Sequence, residues 1–106
     1  MISELTSLEL AEKLKGSAPP LLIDVREPHE HRYCRIEGAQ LRPLGRIMTW
    51  ARDLDPEAEI VLQCHTGYRS YQAAQYLQRL GFKRLFNLEG GIDAWSEEVD
   101  PSVPRY

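Results

Sequence analysis

The spacing of apolar residues along the chain predicts short strands that alternate with helices. Nearly continuous apolar runs at residues 21–25, 60–63 and 85–88, and a weaker one at 39–41, are typical of strands covered on both faces. Apolar residues at helical spacing lie between these runs. Because strands that alternate with helices form parallel sheets, the predicted fold class is α/β, a three-layer α/β/α domain with a mostly parallel central sheet.

Local signals predict the ends and faces of the helices. Thr6 and Glu9 have the spacing of a capping box at the start of the first helix, and Gly16 is predicted to end it in the left-handed conformation. Apolar stripes predict two longer helices, and a short last helix is expected near residues 92–99. The stripes consist of Leu44, Ile47, Met48, Ala51 and Leu54 in one helix and of Ala73, Ala74, Leu77 and Leu80, before Gly81, in the next.

Length and composition fit a single domain. The chain has 106 residues, of which 42% are hydrophobic and 27% charged, so it can bury one core without metals or crosslinks. We therefore expect one domain over residues 1–106. Residues 99–106, which include Pro101 and Pro104, are predicted to form an extended tail.

Charge and hydropathy narrow the expected partners and location. The formal net charge is −3, whereas nucleic-acid binding requires a clustered excess of basic residues, so no nucleic-acid partner is expected. No apolar run approaches the roughly 20 residues that cross a bilayer, so no membrane partner is expected. The first residues lack the pattern of a secretory signal, and we expect a cytoplasmic protein. Nothing in the sequence indicates an oligomeric state.

One cysteine stands where ligands gather in a parallel sheet. Cys64 follows the strongest predicted strand, and the next residues must turn the chain into a helix that begins near Ser70. Such a turn directs backbone N–H groups inward at the positive end of the helix dipole, so it stabilises a thiolate or another anion. The candidate site is this loop: Cys64, His65, Thr66, Gly67, Tyr68 and Arg69.

The same residues have a structural interpretation, which stays open at this point. A free cysteine at a strand end is often a small buried hydrophobic residue. Taken singly, Arg69 is typical of a solvated helix start and His65 of an ordinary polar turn. No Cys-x-x-Cys or paired histidine spacing predicts a metal site, and no glycine-rich nucleotide loop is present, so we expect neither a metal nor a cofactor.

Four segments together carry a family resemblance. They are Leu22-Ile23-Asp24-Val25-Arg26-Glu27, Ile36-Glu37-Gly38-Ala39, Cys64-His65-Thr66-Gly67-Tyr68-Arg69 and Leu88-Glu89-Gly90-Gly91-Ile92-Asp93-Ala94-Trp95. In this order, and over nearly the whole chain, they resemble the motifs of single-domain rhodanese-homology proteins, which are thiosulfate sulfurtransferase-like enzymes. The tail further resembles rhodanese modules that are fused to adenylating enzymes of molybdopterin and thiamine-type biosynthesis.

The resemblance implies a rhodanese-like fold and a sulfur-transfer reaction. Cys64 would take the outer sulfur of thiosulfate or a similar small anion, form a persulfide, and pass that sulfur to a thiol or a sulfur-carrier acceptor. The loop residues 65–69 would hold the persulfide. Asp24 and Arg26 would form a supporting ion pair, for which a purely structural role at a strand end is the alternative. Gly90, Gly91 and Trp95 are interpreted as turn and packing residues.

Other functions stay open beside sulfur transfer. Phosphatases and arsenate reductases of a related fold place one residue more between cysteine and arginine, so the shorter loop here is expected to encircle a single sulfur atom rather than a phosphate. A non-catalytic rhodanese-like module that binds partners or relays sulfur is the second alternative. Cys34, where the family usually has glycine, would resolve the persulfide or form a disulfide with Cys64, or else have a local packing role.

Overall fold

Five parallel strands form the central layer of the protein. The computed structural model describes residues 1–106. The strands are β1 (Ile2–Leu5), β2 (Leu21–Asp24), β3 (Gln40–Leu41), β4 (Ile60–Gln63) and β5 (Leu85–Leu88). They lie in the order β1-β5-β4-β2-β3, and every neighbouring pair is parallel. The predicted α/β fold with a parallel central sheet is thus confirmed.

Helices connect the strands. They are α1 (Ser7–Lys15), α2 (Pro28–Tyr33), α3 (Ile47–Trp50), α4 (Tyr68–Arg79) and α5 (Gly91–Glu98), and short 3-10 turns flank α3 at Leu44–Arg46 and Ala51–Asp53. Helix α1 begins with the predicted capping box, in which the Thr6 hydroxyl accepts from the Glu9 N–H and the Glu9 carboxylate accepts from the Thr6 N–H. None of the helices is both long enough and apolar enough to span a membrane.

Alternate residues of the strands enter two separate hydrophobic cores, one on each face of the sheet. The core under α3 and α4 includes Ile23, Ile60, Leu62, Ala73, Leu77 and Leu85. The core under α1 and α5 includes Leu10, Leu22, Val61, Leu88, Ile92 and Trp95. Burial on both faces explains why β2, β4 and β5 read as apolar runs rather than as alternating patterns.

The pattern of apolar residues does not predict two of the elements, β1 and α2. In β1 only Leu5 is buried, so this edge strand has no apolar run. Helix α2 buries none of its residues and therefore has no apolar stripe. The prediction of a left-handed Gly16 is wrong, because this residue has φ −72° and ψ 173° and leaves α1 in an extended conformation that leads toward Pro19.

Two residues of the predicted apolar stripes face solvent instead. Met48 is 67% exposed, because the segment 44–53 is divided into a 3-10 turn, one turn of α-helix and a second 3-10 turn, and one helical period does not run through it. Leu80 is 52% exposed because α4 ends at Arg79. The buried position beyond that helix is taken by Phe82.

The segment 99–106 folds back along α5. Val103 is buried in the core beside Trp95, and its N–H donates to the carbonyl of Asp100 at 3.1 Å. The hydroxyl of Ser96 donates to the carbonyl of Val103. Arg105 donates to the carboxylates of Asp93 and Glu97 on the outer side of α5. These contacts carry Tyr106 toward the carboxyl edge of the sheet.

Two leucines near the end of α4 test the assignment of its buried face. We expect Leu77→Ala to lower the free energy of unfolding by about 3 kcal/mol, because Leu77 is fully buried between α4 and the sheet. Leu80→Ala is the matched control, and a loss of only about 0.5 kcal/mol is expected for its exposed side chain. Urea unfolding measures both values, and equal losses would contradict the assignment.

Candidate functional site at the β4–α4 turn

The turn between β4 and α4 closes around the sulfur of Cys64. Cys64 directly follows β4, and α4 begins four residues later at Tyr68. Gly67 between them has φ +111°, a backbone conformation that side chains other than glycine rarely adopt. In this conformation its N–H donates to Cys64 Sγ at 3.1 Å. Cys64 is only 1% exposed, so the sulfur lies at the bottom of the turn.

The start of α4 supplies further backbone donors to this place. The N–H groups of Tyr68, Arg69 and Ser70 lie in the first turn of the helix, where no helical carbonyl accepts from them. Together with the helix dipole they favour negative charge at the turn. The side chains of the predicted site residues Thr66 and Tyr68 face solvent, which leaves only their backbone groups for the turn.

Hydrogen-bonded polar side chains on the α4 face of the sheet support the turn. Ser70 Oγ lies 3.3 Å from Cys64 Sγ and donates to Asn87 Oδ1 at 2.5 Å. Asn87 Nδ2 donates to the Gly67 carbonyl at 3.2 Å and to Glu4 Oε2 at 3.2 Å. The sequence did not predict Ser70, Asn87 or Glu4 as site residues, although Asn87 is the one polar residue of an otherwise apolar strand.

The start of α5 holds the turn from a second side. The N–H of Ile92 donates to the Cys64 carbonyl at 2.9 Å, and that of Asp93 donates to the His65 carbonyl at 3.1 Å. Gly91 has φ +60°, and a Cβ there would lie 2.6 Å from the Cys64 carbonyl oxygen and would also collide with His65. Gly91, interpreted from the sequence as a turn residue, is therefore also a direct support of the candidate site.

Asp24 and Arg26 form a buried ion pair beside the turn. Arg26 Nε and Nη2 donate to the two oxygens of Asp24 at 2.9 and 2.8 Å, and both side chains are fully buried. Arg26 also donates to the carbonyl of Cys34 at 2.7 Å. Burial acts to lower the pKa of Arg26, but its hydrogen bonds to Asp24 and Tyr106 outweigh burial and raise that pKa. Arg26 thus stays charged inside the protein.

Arg69 is paired with a carboxylate that sequence analysis missed. Its Nη1 and Nη2 donate to Glu30 Oε1 and Oε2 at 2.7 and 2.9 Å. Arg69 donates two hydrogen bonds to Glu30, and the Glu27 N–H and the Tyr106 hydroxyl donate one each at 2.9 and 2.7 Å, so the pKa of Glu30 falls to about 2 although burial acts to raise it. The pair with Glu30 also raises the pKa of Arg69. The guanidinium is therefore fixed at the rim of the turn.

The two cysteines lie on opposite faces of the sheet. Both are free thiols, Cys64 in the core under α4 and Cys34 in the core under α1 and α5. Cys34 Sγ lies 3.9 Å from Arg26 Nη1, and its surroundings are otherwise those of a packed core residue. No group of three or more His, Cys, Asp and Glu side chains is arranged to hold a metal ion.

The fold and the turn together define a class of parallel α/β domains that place one cysteine, with a backbone N–H on its sulfur, at the start of a helix on the carboxyl edge of the sheet. The chain matches the family described as Rhodanese-like domain over residues 7–98. It belongs to this family, which confirms the resemblance found in the sequence. A crystal structure of a rhodanese-like domain protein from Staphylococcus aureus matches with a TM-score of 0.85 and 29% identity, and covers 98% of each chain.

Some relatives match this chain over nearly their whole length, and others are longer proteins of which it spans less than a third. A sulfurtransferase of Allochromatium vinosum is 35% identical over 103 residues, which are 97% of this chain and 96% of that protein. The probable adenylyltransferase/sulfurtransferase MoeZ of Mycobacterium tuberculosis is 36% identical over 98% of this chain, which spans only 27% of MoeZ. A chloroplastic rhodanese-like/PpiC domain-containing protein of Arabidopsis thaliana is 46% identical over 80% of the chain, which spans 30% of that protein.

Gly91 offers a direct test of how α5 supports the turn. We expect Gly91→Ala to cost about 3 kcal/mol of unfolding free energy, because the new Cβ adds a collision with the turn to the penalty of a positive φ. Gly81→Ala is the matched control, since Gly81 has φ +97° but open space around its Cα, and about 1 kcal/mol is expected. Equal losses in urea unfolding would show that the collision is relieved without cost.

The pair of Glu30 and Arg69 predicts a pH dependence of stability. The pKa of Glu30 is about 2 in the folded protein against an ordinary value of 4.5, so folding weakens proton binding. The ionised pair therefore adds stability above pH 4.5, and this gain is lost as the pH falls toward 2. We expect wild type to be more stable than Glu30→Gln at neutral pH and the difference to shrink in acid. A difference that is constant over this range in urea unfolding would contradict the assignment.

Proposed function

We propose that the protein is a sulfurtransferase that carries sulfane sulfur as a persulfide on Cys64. The observation that carries the proposal is the hydrogen bond from the Gly67 N–H to Cys64 Sγ at the positive end of α4. A sulfur anion in this position is stabilised by fixed backbone dipoles, without any rearrangement of the protein. Membership of the rhodanese-like family and the sulfurtransferase names of relatives support the same chemistry.

The first step transfers sulfur from a donor such as thiosulfate. The Cys64 thiolate attacks the outer sulfur of thiosulfate, and a new sulfur–sulfur bond forms to Cys64. The old sulfur–sulfur bond breaks, and sulfite leaves with its electron pair. The backbone N–H groups of the turn stabilise the negative charge that remains on the terminal sulfur of the persulfide.

The second step delivers the sulfur to an acceptor. A thiolate or cyanide attacks the terminal sulfur of the persulfide, that sulfur passes to the acceptor, and the Cys64 thiolate leaves with the electron pair of the broken bond. The Gly67 N–H, which donates to Cys64 Sγ in the free protein, is in place to donate to the restored thiolate. One cysteine therefore divides the transfer into two displacements at sulfur.

The size of the turn favours sulfur over phosphate as its occupant. Four residues separate Cys64 from Arg69, and the Gly67 N–H already lies 3.1 Å from the sulfur. A tetrahedral phosphate needs donors around three oxygens, and a longer loop provides more contour for them, at about 3.5 Å for each residue. We therefore favour sulfur transfer over a phosphatase activity.

Intact mass after incubation with thiosulfate tests the proposed function. We expect wild type to gain the mass of one sulfur atom and to lose it when cyanide is added, with release of thiocyanate. Cys64→Ser should show neither the gain nor thiocyanate formation, because its hydroxyl forms no persulfide. Cys34→Ala is the matched control and should behave as wild type, since Cys34 lies on the other face of the sheet. A wild type that gains no sulfur from thiosulfate would contradict the proposal for this donor.

A carrier role is the second candidate, and a relative supports it. The putative sulfur carrier protein YrkF of Bacillus subtilis is 30% identical over 93% of this chain, which spans 54% of that protein. A carrier accepts sulfur from another protein rather than from a free anion. It would therefore gain sulfur on Cys64 from a persulfidated donor protein, but not from thiosulfate.

A further inference from the structure

Tyr106 is packed against the turn of Cys64 although it lies far from the turn in sequence. Its ring stacks on the imidazole of His65 with a centroid distance of 4.0 Å and an angle of 7° between the planes. Its hydroxyl accepts from Arg26 Nη1 at 2.8 Å and donates to Glu30 Oε2 at 2.7 Å. Tyr33 contacts the ring edge-on with a centroid distance of 6.0 Å, and the Arg26 guanidinium lies 5.8 Å from the ring centroid.

These contacts extend from one end of the turn to the other. His65 is the residue next to Cys64, and Glu30 holds Arg69, the last residue of the loop motif. The ring of Tyr106 joins the two through its face and its hydroxyl. Tyr106 is 43% exposed and stacks on the residue next to Cys64, which is itself 1% exposed, so the ring lies at the protein surface beside the turn that buries the sulfur.

The backbone around Tyr106 is anchored, which keeps the ring in place. Val103 is buried under α5, and its carbonyl accepts from Ser96 Oγ. Arg105 is bidentate with Asp93 and reaches Glu97. Burial raises the pKa of Tyr106 to about 12, so its hydroxyl keeps its proton and remains a donor to Glu30 at neutral pH.

We propose that Tyr106 is a specificity-determining residue that forms one wall of the entrance to Cys64 and limits the size of the molecules that reach its sulfur. Small anions such as thiosulfate and cyanide pass this wall, whereas a bulky thiol reaches the persulfide slowly unless the ring moves. For acceptors the inference rests on the proposed sulfur transfer. For access to the Cys64 thiol it stands on the contacts of Tyr106 alone.

The first test compares a small and a bulky acceptor. Relative to wild type, Tyr106→Ala should raise kcat/KM for glutathione about tenfold more than kcat/KM for cyanide, because only the larger acceptor is obstructed by the ring. Tyr71→Ala is the matched control, since Tyr71 is 41% exposed on α4 and its side chain makes no hydrogen bond. It should leave the ratio of the two values unchanged.

The second test needs no sulfur transfer. The Cys64 thiolate adds to the double bond of a maleimide, and the neighbouring carbon takes a proton from water. We expect Tyr106→Ala to increase the rate with fluorescein maleimide about tenfold more than the rate with N-methylmaleimide. Peptide mass analysis assigns the label to Cys64 and separates it from any label on Cys34. This test still applies if no sulfur transfer is found, so the two proposals fail separately.

Tyr106→Phe separates the ring from its hydroxyl. Phenylalanine keeps the stacking on His65 and loses the bonds to Arg26 and Glu30, so its effect in both tests should be clearly smaller than that of alanine. Equal effects of the two variants would assign the change in size selectivity to the lost hydrogen bonds and would contradict the proposal that the ring forms a wall. The proposal would also be contradicted if Tyr106→Ala left the ratio of the rates with fluorescein maleimide and N-methylmaleimide unchanged.

Discussion

The left-handed turn at Gly67 is the constraint on which the site depends. With φ at +111°, the backbone reverses tightly enough for its N–H to reach Cys64 Sγ and for α4 to begin at the next residue. A side chain at this position would be strained by the backbone conformation. The sulfur, the helix dipole and the backbone donors therefore meet because the four-residue connection from β4 to α4 ends in a residue without a Cβ.

The turn is held by α2, which precedes it in the sequence, and by β5 and α5, which follow it. Asn87 of β5 binds the Gly67 carbonyl, and α5 donates to the carbonyls of Cys64 and His65. Glu30 of α2 fixes the Arg69 side chain on the opposite rim. Site geometry and fold stability are therefore coupled, and substitutions that loosen these supports act on the turn even though they touch no substrate.

The residues that were predictable from sequence are those whose surroundings are local. Cys64 could be assigned to a strand end and a turn into a helix because an apolar run precedes it and a helical stripe follows it. Glu30 and Tyr106 could not be assigned to the site, because each reaches it through contacts with residues at least 39 positions away in the sequence. Helix α2 has no apolar stripe, and β1 is defined mainly by pairing with β5. Long-range contacts of this kind leave no periodic signal in the sequence.

The direct test of the central claim is to follow the sulfur atom itself. Thiosulfate labelled only in its outer sulfur is mixed with the protein, and the peptide that contains Cys64 is isolated without reduction. The mechanism predicts that the label is bound to this peptide in a form released by cyanide as labelled thiocyanate, while the sulfite product is unlabelled. Label that is absent from the Cys64 peptide while labelled thiocyanate still accumulates would contradict a Cys64 persulfide.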